Sequence, residues 1–300
     1  MTPYDELPAL IIAELIEAGL DPHDLYADIE DALREDLPQP GDVDVTTVAT
    51  IAEDAQGRGV FAAREPGVVS GLSIAAMVFH YVMGDTVTVT HRLSDGTVVE
   101  AGDVVMEVAG PTRGLLTAER TALNYASHLS GIATATAKWV EALDGTNAKV
   151  LDTRKTLPNY RALEKYAVRC GGGHNHRFSL ADMALVKDNH VVAAGGVVPA
   201  YNAVKAMWPD LPVEVEVTTL EELRELLEVG CDRVMLDNMS DAQMSEAVAI
   251  TAGRATLEAS GGLTLERARS VAETGVDWIS VGALTHSVKV FDIGLDLQAG

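Results

Sequence analysis

Positive charge is scarce in this 300-residue sequence: 22 Lys and Arg stand against 45 Asp and Glu, a formal net charge of −23. A field of that sign repels nucleic acid phosphates and anionic membrane surfaces, so neither is an expected partner. Cysteine is scarce as well. Cys170 and Cys231 are too few for a disulfide framework and lack the Cys-x-x-Cys spacing of a zinc site, so both read as reduced, structural thiols. No run approaches the ~20 apolar residues that a membrane span needs. The opening MTPYDELPAL carries acids where a secretory leader would carry bases, and a cytoplasmic location is the expectation. What is present is 47% hydrophobic content, enough for one large core or two modest ones.

The few cations are unevenly placed. From Leu151 to His190 the chain reads LDTRKTLPNYRALEKYAVRCGGGHNHRFSLADMALVKDNH, which gathers Arg154, Lys155, His174, His176, Arg177 and Lys187. In so acidic a chain an anion site requires cations concentrated locally and screened from the surface, and this is where they are concentrated. Arg154 offers a planar bidentate fork and Lys155 a compact point charge, a pair suited to an oxyanion, with a solvated loop as the alternative. Gly171, Gly172 and Gly173 exceed what a helix C-cap needs; they suit a backbone that passes close to a ligand or turns sharply to present His176 and Arg177. Metal ligation by His174 and His176 lacks a third Cys or His nearby.

The pattern along the chain is that of an α/β protein in two parts. Two amphipathic helices are expected in the first forty residues, one carrying Leu7, Leu10, Ile11 and Ile12, the other Leu25, Ile29 and Leu33. Short strands follow from Gly57 to Gly110, including a hairpin around Ser94-Asp95-Gly96, and then a long helical stretch expected to break near Gly131. After it, β-branched runs alternate with helices: KVLDTR, MALVKDN, VEVEVTT, RVMLDN, ATLEASGG and WISVGALT. Such alternation means parallel βα units, compatible with a doubly wound sheet or a barrel. Polar residues at the strand ends (Asp152 and Arg154, Lys187 and Asp188, Glu216, Asp237 and Asn238, Ser260) and glycine-bearing late tips at Gly261 and Gly282 favour the barrel, whose late loops commonly bind phosphate. In VEVEV, alternation turns Glu214 and Glu216 to one face, where burial demands a cation, a metal or a structural ion pair; Lys187 could supply the pairing.

The motifs DTRKT, GGGxNHR, KDNH, EVEV, LDN, SGG and VGALTHS occur in order, with TRGLLTAER at Thr112 to Arg120. Together they resemble the quinolinate phosphoribosyltransferases. That resemblance implies an incomplete, about seven-stranded α/β barrel at 115–285 and an N-terminal α+β sandwich-like domain at 1–114, joined by the C-terminal 286–300. It further implies decarboxylating transfer from 5-phosphoribosyl 1-pyrophosphate to quinolinate, in a homodimer or larger homo-oligomer with shared active sites. By motif, Arg154, His176, Arg177 and Lys187 would line the quinolinate pocket, with Arg120 reaching in from a partner chain. Lys155, Glu216 and Asp237 would hold the sugar donor and the Mg²⁺ on its pyrophosphate; Ser260, Gly261, Gly282 and His286 would bind the 5-phosphate. Lys155, Lys187, Glu216 and Asp237 are the expected catalytic set. Three other readings are weaker. A molybdenum-transport-associated paralogue would lack the full KDNH element, intact here at Lys187–His190; a nicotinate enzyme would need fewer cations; and a silent assembly protein would have no reason to keep charges that cost stability.

Overall fold

The structure, a computed structural model, describes residues 1–299. The chain divides into two compact units: Met1–Ala135 with Ala162–Gly171 and the chain from Val288 onward, and Thr136–Arg161 with Gly172–Ser287. The first unit thus takes in 115–135 and 162–171 besides residues 1–114.

In the first unit, helices Ala9–Glu17 and Pro22–Asp36 form as the apolar spacing requires, burying Ile11, Leu15, Leu25, Ile29 and Leu33. Leu10, placed on the apolar face by sequence, is 69% exposed. Asp21 starts the second helix by accepting the His23 N–H at 2.8 Å, and Pro22 occupies the first turn, where no N–H is needed. Five strands follow: β1 (Gln56–Ala63), β2 (Gly67–Val68), β3 (Thr88–Arg92), β4 (Val98–Val99) and β5 (Val104–Pro111). The hairpin expected around Ser94-Asp95-Gly96 does not form: β3 pairs with β5, whereas β4 pairs with β2. Asp95 explains the divergence. Its carboxylate accepts the N–H groups of Gly71 and Leu72, at the start of helix Leu72–Met83, and the Tyr166 hydroxyl at 2.8 Å. The turn is held by a helix terminus instead of by its flanking strands.

The expected break at Gly131 is also absent: Thr112–Ala142 is one uninterrupted helix. A Cβ at Gly131 would meet the Lys289 carbonyl and come within 3.2 Å of the Phe291 nitrogen. The glycine therefore serves a close backbone approach, and helical hydrogen bonding absorbs its propensity cost of about 1 kcal/mol.

The second unit holds β6 (Lys149–Leu151), β7 (Ala184–Val186), β8 (Val213–Val217), β9 (Arg233–Asp237), β10 (Thr256–Ser260) and β11 (Trp278–Ser280). All pair in parallel in the order β6-β11-β10-β9-β8-β7, and they are the six runs read from the sequence. β6 and β7 are the sheet edges, so the barrel is not closed among the described residues. In place of the seventh strand that the resemblance implies stands one isolated parallel bridge, His174 to Leu151. Helices between the strands start on reciprocal caps: Thr219 Oγ1 accepts the Glu222 N–H while the Glu222 carboxylate accepts that of Thr219, and Ser240 with Gln243 repeats the arrangement. Finally β12 (Ile293–Ala299) pairs antiparallel with β1, completing a sheet ordered β12-β1-β5-β3 in the first unit.

Gly131→Val should lower stability by about 1–3 kcal/mol, because the helix cannot yield to the added side chain without displacing the segment at Lys289. Chemical denaturation measures the loss; a variant as stable as the parent would remove the close approach as the reason for this glycine.

Candidate active site

Because all six strands of the second unit run parallel, their C-terminal ends share one edge. Arg154 and Lys155 follow β6, Lys187 follows β7, Glu216 lies on β8, Asp237 ends β9, Ser260 ends β10 and Gly282 follows β11. Register sets the neighbours. Val186 pairs with Val215, so the next residues along, Lys187 and Glu216, stand side by side with Nζ 3.6 Å from Oε2. Ser260 pairs directly with Asp237. Burial raises the Glu216 pKa; Lys187 opposes this and the nearby Asp237 and Asp188 reinforce it.

The cations crowd one another. Burial and then the neighbouring Arg154 lower the pKa of Arg177, which still remains a cation at any physiological pH. Arg177 donates to the Met183 carbonyl at 2.9 Å, while Arg154 Nε is buried without a protein acceptor. Two guanidiniums held close, one with an unspent donor, can take a planar anion between them.

Beneath this edge lies a buried polar network. Asp152, fully buried at the end of β6, accepts the His176 N–H at 2.8 Å and the Asn175 side-chain amide. His176 Nε2 lies 2.8 Å from Glu214 Oε2 and 3.4 Å from Glu258 Oε2, and both glutamates are 1% exposed. An imidazole with two carboxylates resembles a metal-binding set. Its hydrogen bonding points elsewhere: His176 Nδ1 accepts the Arg177 backbone N–H at 2.8 Å, so Nδ1 carries no proton and Nε2 must. A neutral histidine that binds a metal through Nε2 needs its hydrogen on Nδ1, the reverse of what is found. Burial alone would lower the His176 pKa, but hydrogen bonds and charge from Glu214 and Glu258 push it up to about 9. The Arg177 N–H on Nδ1 works the other way, since a second ring proton would displace it, and Nε2 keeps its proton toward the glutamates in either state. Burial also raises the Glu258 pKa, chiefly because its carboxylate is taken from water and Glu214 is close.

Lys155, Gly282 and His286 are brought together: a Cβ at Gly282 would lie 2.8 Å from Lys155 Cδ and 3.2 Å from His286 Nε2. Thr285 Oγ1 fixes the same corner by donating to the Lys155 carbonyl at 2.7 Å. Arg120 belongs to the first unit, on helix Thr112–Ala142, where it lines a polar cavity of about 790 Å³ with Arg64, Asn124, His128 and Lys289. His128, which carries no functional signal in the sequence, lies 3.0 Å from the buried Glu164 carboxylate. Of the buried acids Asp152 and Glu258 of the second unit, Asp152 stands among the polar strand-end residues of the sequence, whereas Glu258 carries no expectation there. Glu258 had a usable signal: it alternates with Leu257 and Ala259 in TLEAS as Glu214 does with its valines in VEVEV.

The fold and the site define an α/β-barrel-type protein whose strand-end rim gathers cations, carboxylates and glycine tips suited to phosphorylated and carboxylated small molecules. The family described as quinolinate phosphoribosyl transferase, C-terminal domain, matches residues 132–296, and its N-terminal domain counterpart matches residues 44–130. The nicotinate-nucleotide pyrophosphorylase (carboxylating) of Mycobacterium leprae is 51% identical over 273 residues, covering 90% of this chain and 95% of that protein. A crystal structure of NadC from Streptococcus pyogenes superposes with a TM-score of 0.88 at 42% identity, covering 93% of this chain and 98% of that one. The nicotinate-nucleotide pyrophosphorylase structure from Francisella tularensis gives 0.86 at 39% identity, covering 92% and 96%. The chain belongs to the quinolinate phosphoribosyltransferase family.

The buried acids give a pH prediction. A carboxyl whose folded pKa is raised contributes stability below its unfolded pKa and loses it as pH rises through the folded value. Glu258→Gln removes that loss, so its melting temperature should match the parent near pH 4 and exceed it increasingly toward pH 8. Melting curves of the two proteins across that range check it; a variant that falls further below the parent as pH rises would show that the Glu258 charge is needed.

Proposed function

We infer that this chain transfers the phosphoribosyl group of 5-phosphoribosyl 1-pyrophosphate to quinolinate with decarboxylation, giving nicotinate mononucleotide, pyrophosphate and CO₂ for NAD biosynthesis. The observation that supports the site assignment is that Arg177 lies beside Arg154, which follows β6, while Lys187 pairs with Glu216 on the same strand-end edge. Quinolinate is a planar dianion, and two adjacent guanidiniums are the groups that bind its carboxylates in plane. Arg154, Arg177 and Lys187 hold it there, and His176 fixes the Arg177 backbone from beneath.

The sugar donor occupies the other half of the rim. Lys155, with Gly282 and His286 packed against it, takes phosphate, and Ser260 and Gly261 bind the 5-phosphate through the β10 tip. Glu216 and Asp237 are hard oxygen donors beside Asp188, an acid excess that Lys187 only partly balances, and this suits Mg²⁺ carried on the pyrophosphate. Bound there, Mg²⁺ supplies charge neutralisation for the departing pyrophosphate. The chain's own residues orient the pyridine nitrogen toward the ribose carbon, and Glu216 and Asp237 stabilise the positive charge that develops on the ring. Once nitrogen is alkylated, the adjacent carboxylate leaves as CO₂ and its electron pair stays next to the positive nitrogen. The pocket then has only to exclude water and hold the ring until a proton arrives. Arg120 acts in trans, from a second copy of the chain, in a homodimer or larger assembly with shared sites. Among the described residues no helix is long and apolar enough to cross a membrane, and a cytoplasmic site of action accords with NAD synthesis.

Purified protein given quinolinate, 5-phosphoribosyl 1-pyrophosphate and Mg²⁺ should release CO₂ and pyrophosphate in equal amounts; release of neither rejects the reaction. Arg177→Ala should weaken quinolinate binding by on the order of 2–5 kcal/mol, as for a desolvated charge pair that loses one partner. An unchanged dissociation constant in calorimetry takes Arg177 out of the pocket. Arg120→Ala and Lys187→Ala, each inactive alone, should regain part of the activity when their chains are mixed; no recovery after proven subunit exchange places Arg120 outside a shared site.

A further inference from the structure

The end of β9 carries a residue that none of these roles uses. Asn238 follows Asp237 and continues the ladder to β10 by one bond, its N–H donating to the Ser260 carbonyl at 3.0 Å. There its backbone turns left-handed, φ 53°, a conformation it shares with only two other non-glycine residues among those described, Asn159 and Ala252. Asparagine tolerates this region better than most residues, and the turn sends its side chain back along the rim. Asn238 Nδ2 donates to Asp237 Oδ2 at 2.7 Å; only the NH₂ end of an amide can face a carboxylate, so the orientation of the amide is fixed by chemistry. The opposite end, Oδ1, fills the space a Cβ would need at Gly261, which itself sits at φ 93° with the Asn238 nitrogen 2.9 Å from that Cβ position. One amide thus grips the carboxylate at the tip of β9 with its donor end and packs against the tip of β10 with its acceptor end.

We propose that Asn238 is the positioning residue for Asp237, holding that carboxylate in one rotamer and tying it to the Ser260-Gly261 loop. It acts through Asp237 and touches no reacting atom. Asp237 lies at the rim only half-buried, so without the amide its carboxylate is free to rotate toward water. Few other side chains could make both contacts. Aspartate at 238 has the shape but no donor and sets two like charges side by side, and serine is too short to reach both tips. The proposal rests on the reading that Asp237 serves the sugar donor and its Mg²⁺.

Asn238→Gly separates the possible roles, since glycine keeps the left-handed backbone and leaves Gly261 uncrowded while removing only the amide. Steady-state kinetics should show kcat/KM for 5-phosphoribosyl 1-pyrophosphate falling roughly 10- to 100-fold and the midpoint of Mg²⁺ activation rising several-fold, the scale seen when a residue that orients a ligating group is lost. Quinolinate titrated alone should bind Asn238→Gly as tightly as the parent. Asn238→Asp should be worse in both donor-side readouts. Unchanged donor kinetics and Mg²⁺ midpoint in Asn238→Gly overturn the proposal, and so does a uniform loss that includes quinolinate affinity together with a lower melting temperature, which would mark a merely structural role. Asp237→Asn is the control for the underlying reading: if it too leaves donor kinetics and Mg²⁺ dependence unchanged, that reading fails and takes the proposal with it, whereas a damaged Asp237→Asn beside a silent Asn238→Gly sinks the positioning role alone.

Discussion

Charge held in a dry interior is the constraint around which the second unit is organised. Glu214 and Glu258 rise from β8 and β10 into space with almost no access to water, and His176 stands between them. Uncompensated, such carboxylates would cost several kcal/mol each, so each interaction of the imidazole is stabilising only as part of the set. Nε2–H faces the glutamates, Nδ1 receives the Arg177 N–H, and the His176 N–H is taken by Asp152. The chain between β6 and β7 has neither regular strand nor helix at this point, and these bonds give it a definite course. Arg177 leaves that course with its backbone fixed, and fixed backbones are what let a guanidinium meet a ligand without reorganising.

The same logic runs along the rim. Parallel register, not sequence proximity, sets Lys187 beside Glu216 and Asp237 beside Ser260. A one-residue slip of any strand would turn its polar member to the opposite face, and the alternation of valine with glutamate in β8 makes such a slip costly. Site geometry and core packing are therefore specified by the same pattern. The glycine positions complete it: Gly261 and Gly282 are places where neighbouring side chains, Asn238 in one case and Lys155 with His286 in the other, use the room a Cβ would fill.

Much of this was legible in the sequence, and what was not shows where local patterns stop. The six β-branched runs became six strands, and Lys187 met Glu216 as alternation and strand order suggested. Glu258 escaped because a single glutamate among apolar neighbours gives half the signal of the repeated VEVEV, although the alternation is the same. Gly131 was read as a helix break because its reason is non-local: the backbone at Lys289 approaches it from more than 150 residues away in the chain. Asp95 looked like the centre of a hairpin turn for a similar reason, since Gly71 and Leu72, whose N–H groups it accepts, belong to another element. Neither the left-handed φ of Asn238 nor the tautomer of His176 leaves a mark in residue order. Both are settled by bonds to neighbours, Asp237 in one case and the Arg177 amide in the other.

The scarcity of positive charge in the whole chain and its abundance at the rim are two sides of one arrangement. With a net charge of −23, the molecule repels anions at long range, but at physiological salt that field decays over about 8 Å, and an anion inside the rim responds to its immediate neighbours. There burial and then the neighbouring Arg154 lower the pKa of Arg177, and Arg154 keeps a buried Nε with no protein acceptor. Two like charges held this close repel each other, and His176, by accepting the Arg177 N–H, fixes the backbone of one of them. A dianion placed between them would convert that repulsion into attraction. A planar ligand with two carboxylates can satisfy two such guanidiniums at once, which one with a single carboxylate cannot.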